Sequence, residues 1–375
     1  MAKGEHKNGA AKPRAAKGDA PAGPGTPPAR DGLPPIIPLG ALLGQPSAIN
    51  TLRRSLEGGR VHHAWVFHGP AGVGKMTAAR AFAAELLGLD TAAAAASPDL
   101  HIITRQTARF SSNPVVRAQK QSTIPIDVLR EFVIEPATLS RLAVRDSAAG
   151  KVFIIDEAEI MNQAGQNAIL KTLEEPAPGT VLILVSTNED ELFPTVRSRC
   201  QRVAFFPLTD ADMARWLANS GRDVPAADRA ALFALAAGSP GAALLAIDNH
   251  LLDWQRTLAP LLAKLSAGQR AATLGTAMTK LVEEQVATTM DAAPETSKEA
   301  ANRLWTGRML AFVARWAQQD LRAAAKSPQS VSPARALHAV DLLNSAQDQI
   351  DFNVRFSDTL ENLAVQLGQP VHAHA

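Results

Sequence analysis

Short unbroken apolar runs alternate with helical periodicities through the first half of the chain, and only helical periodicities remain after it. The runs are 64–67, 100–103, 151–155, 181–186 and a last one around 203–206. Continuous runs of this length mark strands buried on both faces of a parallel sheet. Between them, Ile49, Leu52, Arg53 and Leu56 keep helical spacing up to Gly58-Gly59, and an alanine-rich helix is expected over 75–87. A further helix over 124–139 is opened by Pro125 and Asp127. Another, 163–174, carries Ala164, Ala168, Ile169 and Leu173 on one face and stops before Pro176. The stretch GLDTAAAAASP after the alanine-rich helix has no periodicity and is expected to be a low-complexity connector. Five strands alternating with helices predict a doubly wound α/β domain.

From Pro207 onward the pattern is helical throughout. Asp210, Met213, Trp216 and Leu217 start one helix, and 232–237 lies in another that Gly238-Ser239-Pro240-Gly241 breaks. Longer amphipathic patterns fill about 245–370. Among them Trp305, Met309, Phe312 and Trp316 form one stripe, which is either plain core or an oligomer interface. Residues 1 to about 35 are rich in Ala, Gly, Pro and Lys and are expected to be disordered. Such a tail is either a solvated extension or a non-specific contact to DNA or a partner.

Composition narrows the classes. An apolar fraction of 46% is ordinary for a globular protein, and no apolar run is long enough to span a bilayer. Nothing near the N-terminus has the apolar core of a secretion signal, so a cytoplasmic protein without membrane contact is expected. Cys200 is the single cysteine, which excludes intrachain disulfides and a cysteine-rich zinc site. His62, His63 and the VHAHA tail lack ligand spacing, so no metal site is assigned to the chain itself. The net charge of +2 is uneven, because residues 1–30 hold six basic and two acidic groups and leave the remainder at −2. A body this close to neutral is weak support for nucleic-acid contact. Arg105, Arg109, Arg117 and Lys120 stand in an acid-free stretch, either facing a phosphate backbone or partner, or simply solvated.

The chemistry concentrates in WVFHGPAGVGKMT (65–77). An apolar strand, a Gly/Pro turn and a helix form the setting of a phosphate-binding loop. Gly69, Gly72 and Gly74 allow positive φ, the following helix adds its partial positive charge, and Lys75 reaches outer phosphates. The Mg²⁺-binding hydroxyl expected after the lysine is replaced by Met76, a thioether with little affinity for a hard cation. Thr77 lies about 100° further round the helix and does not substitute. Asp156 and Glu157 end the third run, the place where ligands bind in open α/β sheets. They suit a Mg²⁺ contact and the polarisation of water, or else cap the next helix. Asn188, at the end of the fourth run, suits a γ-phosphate or water contact, or an ordinary turn.

GQPSAI (44–49), GGRVHHAWVFHGPAGVGK (58–75), FIIDEAEIMNQAGQNAILKTLEEP (153–176) and FPTVRSRCQ (193–201) together resemble the bacterial clamp-loader branch of the AAA+ proteins. The resemblance is dense over about 40–207 and thin beyond. It implies an AAA+ α/β domain with a parallel sheet over 36–207, a small helical lid over 208–246 and an all-α collar over 247–370. It also implies a ring shared with tau/gamma and delta subunits, which loads the beta sliding clamp onto primed DNA with ATP. Arg199, in Ser-Arg-Cys, is then expected to reach a neighbour's ATP site as an arginine finger; the bland alternative is a surface ion pair. Met76, and Gly241 where the hydrolysing subunits carry a phosphate-sensing arginine, favour a non-motor subunit. ATP or ADP is then expected to bind weakly if at all, with Mg²⁺ only beside nucleotide, and no zinc. The alternative is an ATP-hydrolysing motor of the tau/gamma type, or another AAA+ remodeller, supported by Lys75, Asp156 and Glu157.

Overall fold

The computed structural model describes residues 33–58, 61–118, 122–138, 148–292, 297–326, 333–352 and 354–369. Most of the expected N-terminal tail, Gly59 and Lys120 lie outside them. The described residues fall into two compact units, each treated by itself. The first comprises those within Met1–Leu42, Ser47–Gly69 and Lys75–Ala204; the second comprises Leu43–Pro46, Pro70–Gly74 and those from Phe205 onward.

In chain order the first unit carries α1 (Pro46–Glu57), β1 (Ala64–His68), α2 (Lys75–Leu86), α3 (Thr91–Ala96), β2 (Leu100–Ile103), α4 (Pro114–Ala118), α5 (Ile126–Leu129), α6 (Glu135–Thr138), β3 (Lys151–Ile155), α7 (Gln163–Glu174), β4 (Thr180–Ser186), α8 (Pro194–Arg197) and β5 (Gln201–Ala204). All strand pairs are parallel, in the order β2-β3-β4-β1-β5. Register places Val66 beside Leu184 and Arg202, and Ile155 beside Leu184, so β1 and β3 flank β4. Every residue of β4 is buried, as expected for a strand covered by helices on both faces. One face packs Val66, Phe153, Ile155 and Leu184 against Leu129, Phe132 and Ile169. On the other, Trp65 meets Phe82 edge-to-face at 5.2 Å, and both are fully buried. Truncating Phe82 to Ala would cost about 3–5 kcal/mol.

Three local expectations are corrected. The connector GLDTAAAAASP contains a helix, α3, whose first amides at Ala92 and Ala93 are capped by the Asp90 carboxylate at 2.9 and 2.8 Å. The single helix expected over 124–139 is broken by a π-helical turn, Arg130–Ile134, between α5 and α6. The last strand ends at Ala204 rather than Phe206, and two of its four residues are exposed.

The second unit is helical: α9 (Asp210–Asn219), α10 (Ala226–Ala236), α11 (Pro240–Asp248), α12 (Leu251–Ser266), α13 (Leu274–Ala292), α14 (Lys298–Lys326), α15 (Pro333–Asp351) and α16 (Phe356–Leu367). One hydrophobic cluster runs from Leu208 to Leu367, across the boundary expected at 246/247. The aromatic stripe is largely core. Trp305, Met309 and Phe312 are buried, and Trp254 packs edge-to-face on Trp305 at 6.1 Å and on Phe312 at 6.2 Å. Trp316 is only partly buried.

Candidate functional site

In the first unit, Lys75 opens α2 at the end of the Gly-rich loop and is 5% exposed. Its ammonium donates to the Gly69 carbonyl at 2.6 Å. Burial lowers the lysine's pKa, while the carboxylates of Glu159 and Asp156 pull it back up. Asp156 follows the buried strand β3, and burial raises its carboxyl to about 6 against a hydrogen bond from the Glu157 amide at 3.0 Å. Glu157 sits in the left-handed region at φ 53°, a conformation that non-glycine residues adopt at a cost. Its carboxylate is held by Arg105, with Nε donating to Oε2 at 2.7 Å and Nη2 pairing with Oε1.

Arg105 therefore faces an acid of its own unit, and Arg117 donates to the carbonyls of Ser111 and Ser112 at 2.6 and 3.0 Å. Sequence reasoning left the Arg105–Glu157 pair unseen, because nothing local links residues fifty positions apart. It also passed over Glu159, which accepts from the Thr187 amide at 3.1 Å and hydroxyl at 2.5 Å. Asn188 caps its own turn: its side chain accepts from the Asp190 amide at 3.2 Å and donates to Glu191 at 3.4 Å.

The loop residues Pro70–Gly74 belong to the second unit, where three consecutive carbonyls are tied down. Ala71 accepts from the Ser239 hydroxyl at 3.0 Å, Gly72 from the Gly241 amide at 2.9 Å, and Val73 from the Gln45 side chain at 3.2 Å. Gln45 is 3% exposed and also donates to the Phe206 carbonyl at 2.7 Å. Ser239 doubles as the N-cap of α11, accepting from the Ala242 amide at 3.1 Å. A Cβ on Gly241 would lie 2.8 Å from Gly72 Cα, so the two backbones touch where no side chain fits. Gly69, Gly72 and Gly74 all have positive φ, at 136°, 74° and 105°.

These residues do not fit a Mg²⁺-nucleotide well. Met76 follows Lys75 without a hydroxyl, and Glu157, suited to orienting water, is committed to Arg105. Among the described residues no group of three or more His, Cys, Asp or Glu side chains could hold a metal ion, and no helix is long and apolar enough to cross a membrane.

Arg199 lies in the turn between α8 and β5. Its guanidinium pairs with Glu174, the last residue of α7, at 2.6 Å and donates to the Thr195 carbonyl at 2.9 Å. About a third of the side chain is exposed, at 35%. Beside it, burial pushes the Cys200 thiol up to about 12, which disfavours the thiolate at neutral pH.

Residues 44–209 match the family described as "DNA polymerase III, delta subunit". Over 191 residues the chain is 37% identical to DNA polymerase III subunit delta' of Pseudomonas aeruginosa, covering 49% of this chain and 56% of that one. It is 30% identical to subunit gamma of Buchnera aphidicola (strain APS) over 159 residues, 42% of each. The chain thus spans about half the length of these relatives. Among solved structures, the Thermotoga maritima RuvB Holliday junction branch migration motor is similar at a TM-score of 0.39 and 16% identity, covering 74% of this chain and 78% of that one.

Proposed function

Because residues 44–209 match the family described as "DNA polymerase III, delta subunit", we propose that the chain acts as a delta'-like, non-motor subunit of a cytoplasmic clamp loader. It would sit in a ring with tau/gamma and delta subunits that loads the beta clamp onto primed DNA. Its part would be to complete a neighbour's ATP site with Arg199. The observation that carries this assignment is the triple tether of the loop carbonyls at Ala71, Ala71's neighbour Gly72, and Val73. A loop fixed in this way, followed by Met76, is poorly suited to close around a Mg²⁺-nucleotide at each turnover. Any ATP or ADP it holds would be weakly bound, and it needs no zinc.

Arg199 suits the trans role because a guanidinium on a one-third-exposed turn is accessible, while Glu174 and Thr195 set its direction. The test is a ring reconstituted with motor subunits, in which Arg199→Ala lowers the DNA-stimulated ATPase and Lys75→Ala changes clamp loading far less. Unchanged ATPase in the Arg199→Ala ring sinks the assignment. A second proposal, that the chain is itself a motor, draws support from the buried Lys75 beside Asp156 and Glu159. It requires turnover by the purified chain that Lys75→Ala abolishes.

A further inference from the structure

The aromatic stripe of α14 continues one turn further than its core role requires. Phe312, Trp316 and Asp320 stand at successive i, i+4 positions and share one helix face. All three line a cavity of about 350 Å³ walled by α10, α12 and α14, with Leu262 and Gln255 on the α12 side. That volume is at the lower end of the roughly 300–1,000 Å³ of ligand pockets. Asp320 is 8% exposed, and among the described residues its carboxylate has neither ion pair nor hydrogen bond. Among the described residues, the one cation lining the same cavity, Arg315, donates instead to the Leu235 carbonyl at 2.6 Å. The Trp316 ring is fixed by its indole N–H, which donates to Ser266 Oγ at 3.3 Å.

We propose that this cavity is a receptor for a basic side chain of a partner polypeptide, whose guanidinium or ammonium group pairs with Asp320 while its alkyl stem packs on Trp316 and Phe312. A carboxylate on the wall of a cavity, with no partner of its own, favours a cation, which cancels its charge and supplies donors. A neutral donor leaves the charge in place. The indole face adds attraction for a cation and none for a neutral isostere. An anionic group is disfavoured by Asp320, and a purely apolar one leaves the carboxylate uncompensated. Nothing in this assignment depends on the fate of the nucleotide loop or on Arg199.

The test uses the full chain and saturation-transfer NMR observed on acetyl-Gly-Arg-Gly-amide, on its neutral citrulline counterpart, and on agmatine as a free amine. The arginine peptide is expected to bind roughly tenfold more tightly than the citrulline peptide, and Asp320→Asn to erase that difference. Trp316→Leu is expected to weaken the arginine peptide about three- to fivefold and to leave the citrulline peptide unchanged. It carries the test if Asp320→Asn does not fold. Equal binding of the two peptides, or discrimination that survives Asp320→Asn, overturns the proposal. So does binding of none of the probes, which would mean that water alone solvates the carboxylate. Binding of agmatine without the arginine peptide overturns the polypeptide source.

Discussion

The amide of Gly241 donates to the carbonyl of Gly72 at 2.9 Å, and the same two residues approach so closely that a Cβ on either one meets the other's segment. Gly241 is thus more than a position where a charged side chain is missing. It is the residue that lets the start of α11 lie directly on the loop. Restoring an arginine there cannot simply rebuild a phosphate contact, because the side chain's first carbon has no space.

Gly241→Ala is expected to destabilise the chain by about 1–3 kcal/mol, the usual cost of forcing an extra methyl into a packed contact. Gly241→Arg should do at least as much and confer no gain in nucleotide affinity. Urea unfolding and a calorimetric ATP titration of the two variants check both statements. An arginine variant of unchanged stability that binds ATP tightly would overturn the packing argument.

Ser239→Ala removes an N-cap and a tether in one step. The expected loss is about 1–2 kcal/mol, most of it from the cap. Hydrogen exchange should report faster opening of the amides at the start of α11, with little change in β1 or β4.

Asp156 gives a pH signature. Its carboxyl is raised to about 6 in the folded chain from an ordinary value of 3.8. The folded state therefore holds the proton more tightly, which favours folding below about 4 and is lost as pH rises through about 6. Relative to wild type, Asp156→Asn is expected to be more stable by about 2–3 kcal/mol at pH 7.5 and above. The difference should shrink between pH 6 and 4 and vanish below that. Paired denaturation curves across this range check the sign and the window.

Glu174→Gln should release Arg199 from its ion pair. The pair is partly exposed, so the cost to folding of the isolated chain is expected to stay below about 1 kcal/mol. If Arg199 acts on a neighbour, the same substitution should change the ATPase of the reconstituted ring without changing the melting temperature of the free chain. An effect on melting alone would reduce Glu174 to a surface partner.

Much of this architecture is legible in the chain. The apolar runs give four strands closely, and α7 spans the residues that its periodicity and Pro176 predict. The misses have physical causes. An alanine-rich helix such as α3 has strong propensity but no apolar stripe set against a polar face, so periodicity is blind to it, and only Asp90 announces it. The π-turn inside 126–138 keeps Leu129, Phe132 and Val133 buried just as an α-helix would, so the hydrophobic pattern cannot tell them apart. The start of β5 is an exposed edge, where Gln201 and Arg202 carry no apolar signal. At the site, the glycines, Lys75 and the acids were visible as local motifs. Their partners Arg105, Gln45, Ser239 and Glu174 were not, because each acts across the fold rather than along the sequence.

The unbroken core from Leu208 to Leu367 has a mechanical consequence. Among the described residues, α9–α11 and α12–α16 share one packed interior, and Gln45, Ser239 and Gly241 bond the loop, so the packing between the far helices and residues 71–73 is continuous. The second unit should behave as a stiff lever. A torque applied at α14 or α16 would be delivered to the loop rather than dissipated in a hinge.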